Sequence, residues 1–496
     1  FAEADFSPDA WRRLSGRTET SFATRSLSVV TPSATELRAV IDWMPKQRLN
    51  SVLIGHDGNP TRARAMIPEL DRRGIRLEIG GHILPRWLPR DLFASHPEYF
   101  RFHNGARRPD GNFCTSHANT LRILREHAVR FAREVPEANI FHLWADDVEG
   151  GSWCACDLCR PRSGAEQLLT AINAVADALQ TERPGATVDF VLYHDTLQAP
   201  AHAQPRPNIF AFFAPRERCY AHGIGDDACP HNAWYAARLR AARECFGDRL
   251  AVFEYYGDLI LWRCLGIAIP ATILADLAWY RSLGVDEIQA LHFGQFSNWA
   301  YPLNLYTFAR AAWETGLDGD TVTQQFCHAR FGAHAANIRE AYSLFEQASR
   351  NTLAYDGYDH TAFDIRDGPA HPAEFARQHL RLVERAAEQM ETALAKMPDT
   401  DHRAVCGDRL LFQFNRDNLR ALAAQMRGRQ HEAAGTAAPM QAEYDVAISL
   451  LQDLQTRLRD VPRVYTGDWG AIAPGQLRMI AELLHSAKQG RRQRDW

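Results

Sequence analysis

The chain has 496 residues, of which 46% are hydrophobic and 23% are charged, and its formal net charge is −4 at pH 7. This length exceeds one ordinary domain, and the composition is that of a globular protein, so we expect two domains. The charge balance offers no basic face for a phosphate backbone, which excludes nucleic acid as the expected partner. No run approaches the roughly 20 apolar residues of a membrane-spanning helix, so we expect no membrane partner, and the compartment, cytoplasmic or exported, stays open.

Short β-rich apolar runs alternate with helical segments from residue 26 onward, a pattern typical of a parallel sheet covered by helices. Ser33 and Glu36 have capping-box spacing and predict the start of a helix after the first run. Eight runs in about 290 residues favour a closed (β/α)8 TIM barrel over an open doubly wound sheet. The predicted strands are residues 27–30, 51–55, 77–80, 140–145, 187–193, 208–213, 250–256 and 287–293.

The strand signals stop after Gly316, and amphipathic helical patterns follow. They cover residues 338–345, 375–397, 403–426, 443–458 and 477–488. We therefore predict an N-terminal lead-in of residues 1–25, a barrel of residues 26–316 and an α-helical C-terminal domain of residues 317–496. Because these helices carry no cluster of catalytic residue types, we expect them to act as a scaffold and to offer a homodimer surface.

The active site of such a barrel lies at the C-terminal ends of its strands, where this sequence is rich in polar and aromatic residues. A sugar needs hydrogen-bond partners for its hydroxyls and an aromatic surface for its C–H face, so we predict a carbohydrate substrate. One histidine at a strand end is often only structural, but several around one mouth favour a hydroxyl-binding ring. The predicted substrate-binding residues are His56, His82, Trp144, Tyr193, His194, Tyr256, His292, Asn298 and Trp299.

The adjacent pair Asp146 and Asp147 follows the fourth predicted strand and is the main catalytic candidate. Glycoside hydrolysis usually needs one carboxylic acid for the leaving oxygen and a second carboxylate at the anomeric centre. Neighbouring carboxylates disfavour each other's ionisation, which raises the pKa of one of them. The alternative is that both residues only cap the following helix. Glu149 is a competing acid, although its position beside two glycines indicates a turn.

Three cysteines, Cys154, Cys156 and Cys159, lie within six residues of sequence. They are close enough to share a tetrahedral metal ion, so we predict a structural zinc site with Cys114 as the preferred fourth ligand and His117 as the second choice. Free buried cysteines, or a disulfide involving Cys114, remain open as alternatives. We expect no cofactor for catalysis, since no histidine spacing indicates a catalytic metal.

Four segments resemble a little-characterised family of barrel proteins: residues 96–100, residues 113–114, residues 144–147 and the cysteine segment 153–159. That family is similar to the glycoside hydrolase clan of β-N-acetylhexosaminidases and β-N-acetylgalactosaminidases, and more distantly to α-glucuronidases. Gly80-Gly81-His82 and the segment from Arg218 to Cys229 also resemble it. In the acetylhexosaminidases an adjacent Asp-Glu pair orients the substrate acetamido group and donates the proton.

The resemblance implies that Asp146 orients the acetamido group and that Asp147, one methylene shorter than the family's Glu, is the general acid. The expected activity is removal of β-linked N-acetylhexosamine, with N-acetylgalactosamine favoured. An alternative is a hydrolase of uronic-acid glycosides, whose carboxylate Arg216, Arg218 or Arg263 would bind. A further alternative is a carbohydrate-binding barrel without catalysis, although binding alone gains little from two crowded carboxylates.

Overall fold

Eight parallel strands close into a barrel, which confirms the predicted fold class. The computed structural model describes residues 20–460 apart from 32, 149, 151, 263, 264, 315 and 354–372, and it also describes residues 485 and 488. The barrel strands are β1 (Thr24–Val29), β2 (Ser51–Ile54), β3 (Arg76–Gly81), β6 (Ile140–Leu143), β7 (Thr187–Leu192), β8 (Ile209–Phe213), β9 (Leu250–Glu254) and β10 (Glu287–His292). Their order around the barrel is β1-β10-β9-β8-β7-β6-β3-β2.

All eight predicted strands form, because their apolar runs are buried against both the barrel interior and the surrounding helices. The main error in position is at β1, which begins at Thr24 and so includes two residues assigned to the lead-in. A hairpin of β4 (Phe100–His103) and β5 (Ala106–Phe113) was not predicted. Its second strand, ARRPDGNF, contains neither an apolar run nor clear alternation, so the strand signal is absent.

Helices follow the barrel strands in the expected places. Ser33 caps the first of them, since the Glu36 amide donates to Ser33 Oγ at 3.2 Å. The helices through the barrel are α1 (Ala34–Trp43), α2 (Pro60–Arg64), α3 (Ile67–Arg73), α4 (Ala118–Glu134), α5 (Gly164–Glu182), α6 (Pro230–Phe246), α7 (Pro270–Ser282), α8 (Gly294–Ala300) and α9 (Pro302–Trp313).

The C-terminal region consists of α10 (Gly319–Phe331), α11 (Ala335–Leu353), α12 (Ala373–Lys396), α13 (Arg403–Ala433) and α14 (Ala437–Asp460). Helix α10 was not predicted, and the helix predicted over 477–488 lies outside the described residues except for positions 485 and 488. No helix in the described ranges is long and apolar enough to cross a membrane. The boundary at residue 316 and the homodimer surface stay predictions.

The C-terminal helices contact the loops that follow β9 and β10. The Gly266 amide donates to Asn415 Oδ1 of α13 at 2.8 Å, and Trp299 Nε1 donates to the Gly407 carbonyl of the same helix at 3.0 Å. Because these loops leave the C-terminal ends of their strands, α13 lies beside the barrel mouth. The helices therefore help to fix two of the loops around the site.

Two glycines in β3 let neighbouring main chains approach at the mouth. Gly80 and Gly81 have φ of 142° and 121°, a region that favours glycine. A Cβ at Gly80 would lie 1.8 Å from the His142 carbonyl oxygen, and one at Gly81 would lie 2.1 Å from that of His56. The Trp144 amide donates to the Gly81 carbonyl at 2.9 Å. The pair thus sets the spacing of the loops that carry the candidate site.

Candidate active site

Aromatic rings form the floor of the barrel mouth. Trp144 stacks on Phe212 with ring centroids 6.2 Å apart, and Phe212 stacks on Phe253 at 5.5 Å. Trp144 Nε1 donates to Asp189 Oδ2 at 2.6 Å, and the Trp144 side chain is almost fully buried. Trp144 therefore supports the site from below. The sequence analysis predicted a ring open to substrate, whereas the ring in the structure is almost fully buried.

A buried ionic network lies beneath this floor. His142 bonds through Nδ1 to Asp189 and through Nε2 to Glu78, both at 2.8 Å. Burial alone would lower the pKa of His142, but the two carboxylates raise it to about 10. The histidine is therefore charged at neutral pH, and Gln289 and Ser26 supply further hydrogen bonds to Glu78. The network fixes the positions of β3, β6 and β7.

His56 and His82 stand on either side of Trp144, with ring centroids 4.9 and 5.0 Å from it. Burial, together with the nearby His82 and His142, lowers the pKa of His56 to about 3. His56 is therefore neutral at physiological pH, and its Nε2 lies 2.6 Å from Ser28 Oγ. It is suited to exchanging hydrogen bonds with a hydroxyl, but it has no proton to donate as an acid.

His82 and Asp147 face each other at the barrel mouth. His82 Nδ1 lies 2.8 Å from the Ala145 carbonyl oxygen, which can only accept, so Nδ1 carries a hydrogen. His82 Nε2 faces Asp147 Oδ1 at 3.7 Å. Neutral Nε2 has only a lone pair, so the contact is attractive when a proton lies on either Nε2 or the carboxyl group. The Asp147 side chain is 59% exposed, which leaves this proton accessible from the mouth.

Asp146 has different surroundings from its neighbour. Its Oδ2 accepts from Ser152 Oγ at 2.9 Å, and its amide donates to Asn112 Oδ1 at 2.9 Å. Asn112 in turn donates to Ser152 Oγ at 3.2 Å. Asp146 is half-buried and is fixed by the β4–β5 hairpin, whereas Asp147 is exposed. The side chain that caps helix α5 is that of Ser163, so the capping alternative does not account for the pair.

A further carboxylate at the mouth, that of Glu217, was not predicted from the sequence. Glu217 follows β8, is 20% exposed, and accepts from Arg216 at 3.3 Å. Burial raises the pKa of Tyr193, and the carboxylates of Glu217 and Asp147 raise it further, which places both acids around this half-buried tyrosine. The available signal was a carboxylate four residues after a strand end, but the predictions for this loop named Arg216, Arg218 and the segment from Arg218 to Cys229.

Two of the predicted residues, Tyr193 and His194, lie together after β7 with ring centroids 3.7 Å apart. Both are half-buried. His194 has a φ of +47°, uncommon for a residue with a side chain, and such strained positions are frequent at functional sites. The structure therefore keeps both residues at the mouth, next to Asp147 and Glu217.

Three predicted binding residues are placed elsewhere. Tyr256 is fully buried and its hydroxyl donates to Asp276 at 2.9 Å, so it belongs to the barrel wall. Trp299 is buried against α13 and connects the barrel to the C-terminal helices. His292 is fully buried with Nε2 3.1 Å from Asn298 Oδ1, and burial lowers its pKa to about 4. Asn298, which is half-buried, supports His292.

A second ionic network lies inside the wall behind β9. Arg218, which is 0% exposed, bonds to Glu254 at 3.1 Å and also pairs with Asp276. Tyr280 donates to Glu254. Arg218 is therefore unavailable to a substrate carboxylate, contrary to the uronidase alternative. Two other candidates, Arg263 and Glu149, lie outside the described residues.

The structure brings two groups of metal-ligand types together. The Sγ atoms of Cys114, Cys154, Cys156 and Cys159 all lie within 4.8 Å of one another, so Cys114 and not His117 completes the predicted set. Cys219, His222 and Cys229 form a second group of the same compactness, with Cys219 Sγ 3.3 Å from His222 Nδ1. This second group was not predicted, because its spacing over eleven residues matches no common motif.

Comparison with solved structures shows the fold of glycoside hydrolases at very low sequence identity. A GH138 enzyme, described as targeting pectin rhamnogalacturonan II, matches with a TM-score of 0.52 and 10% identity, over 95% of this chain and 84% of its own. CpGH89 from Clostridium perfringens, in complex with GlcNAc-alpha-1,4-galactose, matches with a TM-score of 0.56 and 12% identity, over 94% and 58%.

An O-GlcNAc hydrolase mutant of Thermobaculum terrenum matches with a TM-score of 0.46 and 13% identity, over 95% and 96%. No curated protein sequence matches the chain. One family model matches residues 11–343, which is more than half of the chain and covers the whole barrel. The chain therefore belongs to the family described as Domain of unknown function (DUF4838).

Proposed function

We propose that the protein is a glycoside hydrolase in which Asp147 is the general acid. The observation that carries this proposal is the pairing of an exposed Asp147 carboxyl group with His82 Nε2 at 3.7 Å, while His82 Nδ1 is committed to a carbonyl. In this proposal Asp147 gives and takes back one proton at a position open to a ligand, with His82 as its neighbour. A group that can give and take back a proton beside an aromatic-lined mouth is what glycoside cleavage requires.

The proposed substrate class is a terminal β-linked N-acetylhexosamine, with N-acetylgalactosamine favoured. Support comes from the adjacent Asp146, whose half-buried carboxylate is fixed by Ser152 and stands one residue from the acid. A fixed carboxylate can accept a hydrogen bond from an acetamido N–H. The ligand of CpGH89 also carries an N-acetylated sugar, although that linkage is α.

In the proposed reaction the carbonyl oxygen of the acetamido group attacks the anomeric carbon as the glycosidic C–O bond breaks. Asp147 gives its proton to the leaving oxygen, and Asp146 stabilises the positive charge that develops on the cyclised acetamido group. Asp147 then takes a proton from water as the water oxygen attacks the anomeric carbon and opens the ring. Because the nucleophile is part of the substrate, no enzymic nucleophile is needed, and proximity lowers the barrier.

The test is a panel of nitrophenyl glycosides assayed with the wild-type protein and with Asp147→Asn. We expect cleavage of the N-acetyl-β-galactosaminide and the N-acetyl-β-glucosaminide, and a loss of about 100-fold or more in kcat/KM in the variant. Asp157→Asn is the matched control, since this aspartate on the same loop is 94% exposed and pairs with Arg160 at 3.4 Å. Full activity of Asp147→Asn would overturn the assignment.

A second candidate is a hydrolase that uses Glu217 as an enzymic nucleophile with Asp147 as the acid, on sugars without an acetamido group. The observation that favours it is that the Glu217 and Asp147 carboxylates are both near enough to Tyr193 to raise its pKa. Uronic acids fall in this class, with Arg216 as the partner of the sugar carboxylate, although Arg216 already bonds to Asp258 at 2.9 Å. A thiazoline mimic of the cyclised intermediate separates the two candidates, because only the acetamido mechanism predicts strong inhibition.

A further inference from the structure

The loop that carries Asp146 and Asp147 is long, and its described residues form no helix or strand. It runs from Trp144, after β6, to Ser163, the cap of α5. Loops of this length without helices or strands are uncommon in compact domains and need another source of order. The cysteines at positions 154, 156 and 159 lie in its second half. The cysteines are therefore candidates for holding this loop against the β4–β5 hairpin.

The separations between the sulfur atoms fit a tetrahedral metal site. Cys114 Sγ lies 3.8 Å from Cys156 Sγ and 3.9 Å from Cys159 Sγ. A zinc ion with four Zn–S bonds of about 2.3 Å places its sulfurs about 3.8 Å apart. A disulfide would instead bring one pair to about 2.05 Å. All four sulfurs lie within 4.8 Å of one another and all four cysteines are free thiols, so they are grouped around a point and are not joined in pairs.

The groups around the sulfurs are those that stabilise thiolates. The Phe102 amide donates to Cys154 Sγ at 3.3 Å, and Ser116 Oγ lies 2.8 Å from Cys159 Sγ. Two guanidinium groups approach the cluster, Arg107 at 3.7 Å from Cys154 Sγ and Arg162 at 3.4 Å from Cys159 Sγ. One zinc ion with four thiolates has a net charge of −2. The two arginines offset that charge in a buried setting.

The cluster is connected to Asp146, the residue before the candidate acid, through a short chain of hydrogen bonds. The Ala155 amide donates to the Phe102 carbonyl at 2.8 Å, which joins the loop to β4. The Asn112 amide donates to the Ser152 carbonyl at 3.2 Å, and Ser152 Oγ donates to Asp146. Cys114 follows directly after β5, so a metal ion would join the hairpin and the loop at one point.

We propose that Cys114, Cys154, Cys156 and Cys159 bind one zinc ion, and that this ion positions the loop carrying Asp146 and Asp147. The binding half of this proposal is independent of the proposed function, whereas the positioning half rests on it. The cysteines are positioning residues in this account, because none of them contacts the mouth. The ion supplies structure only, since four protein ligands leave no open coordination position for substrate.

The first test is the zinc content of full-length protein purified under reducing conditions without added metal. We expect Cys156→Ser to contain one zinc equivalent less than the wild type. Cys245→Ser is the matched control, since Cys245 is a half-buried thiol outside both groups that donates to the Pro200 carbonyl at 3.9 Å. It should retain the wild-type zinc content. Comparing variants by difference also allows for metal at Cys219, His222 and Cys229.

The second test uses the wild-type protein, so it does not depend on the folding of a variant. Exchange with Co²⁺ should give the intense sulfur-to-metal charge-transfer absorption of a four-thiolate site, and zinc should displace it. Metal removal by a chelator should increase amide hydrogen exchange across residues 145–160 while the barrel strands stay protected. Absence of metal in the wild type, with no cobalt spectrum and cysteines oxidised in pairs, would overturn the proposal.

The activity arm separates this proposal from the proposed function. If the protein is a glycoside hydrolase, chelation should lower kcat, and readdition of zinc should restore it. If no glycoside is cleaved, the zinc content and the exchange data still decide whether the ion orders the loop. A protein that loses its zinc without any change in hydrogen exchange over residues 145–160 would contradict the positioning role.

Discussion

Two arginines, two residues apart after β8, take part in ionic clusters with opposite properties. Arg216 lies at the mouth, is 20% exposed, and pairs with Glu217 and Asp258. Arg218 lies in the wall, is 0% exposed, and pairs with Glu254 and Asp276. The mouth cluster reaches solvent through Arg216 and Glu217, whereas the wall cluster is fully buried and is closed by tyrosines. The same residue types therefore serve a candidate site in one place and the packing of the barrel in the other.

The largest effect that distinguishes the two clusters is on stability. Arg218→Met leaves Glu254 and Asp276 buried without their cation, so we expect the free energy of unfolding to fall by about 3–5 kcal/mol. Arg216→Met is the matched change at the mouth and should cost less, about 1–2 kcal/mol, because Glu217 keeps contact with solvent and the buried Asp258 keeps two backbone hydrogen bonds. Chemical denaturation measures both. Equal losses in the free energy of unfolding would show that the two clusters contribute equally to stability.

The next effect is on activity at the mouth. His82→Asn keeps a donor near the position of Nδ1 for the Ala145 carbonyl but removes Nε2, the atom that faces Asp147. We expect kcat/KM to fall by about 100-fold with little change in stability, since proton transfer is lost and the backbone contact is retained. Steady-state kinetics on a cleaved nitrophenyl glycoside checks this. An unchanged pH–rate profile in the variant would show that His82 does not share a proton with the acid.

The buried histidines predict how stability depends on pH. Folding lowers the pKa of His292 to about 4 from an ordinary value near 6.5, so its contribution is present above pH 6.5 and is lost as the pH falls towards 4. Folding raises the pKa of His142 to about 10, so its contribution is present below pH 6.5 and is lost as the pH rises towards 10. Each slope reaches about 1.4 kcal/mol per pH unit.

Denaturation midpoints between pH 4 and pH 10 measure both slopes. His292→Gln retains a donor for Asn298 without a titrating ring, so it should reduce the acid slope, leave the part that His56 contributes, and leave the alkaline side unchanged. A variant whose acid slope equals that of the wild type would show that His292 does not contribute to acid sensitivity.

The smallest effect concerns two tyrosines that follow β7 and β9, the strands on either side of β8. Tyr256→Phe removes the hydroxyl that donates to Asp276, so it should lower the free energy of unfolding by about 1.5 kcal/mol and leave kcat/KM unchanged. Tyr193→Phe removes a hydroxyl at the mouth, so it should lower kcat/KM with no comparable loss of stability. A tenfold loss of activity in a stable Tyr256→Phe protein would show that Tyr256 acts in the active site and not only in the barrel wall.

The barrel could be predicted from the sequence because its strands are short apolar runs, each buried on both faces. The hairpin and helix α10 could not, since charged or polar residues dominate them. At the site, the positions of His82, Asp147 and Tyr193 follow from their places after strands. The burial of Tyr256, Trp299 and Arg218 does not, because one residue along a loop decides whether a side chain faces the mouth or the wall. Glu217 lies in no recognisable sequence motif, so only its contacts in the structure indicate that it belongs to the site.

The dependence of rate on the leaving group tests the role of Asp147 most directly. Asp147→Ala should be measured on a series of aryl N-acetyl-β-hexosaminides whose phenols differ in pKa, with Asp146→Asn as the comparison. We predict that kcat/KM of Asp147→Ala, which reports cleavage of the glycosidic bond, approaches the wild-type value with dinitrophenol, which needs no proton, and falls by about 100-fold or more with poor leaving groups. Asp146→Asn should lose activity on every substrate. Equal losses of Asp147→Ala across the whole series would contradict its assignment as the general acid.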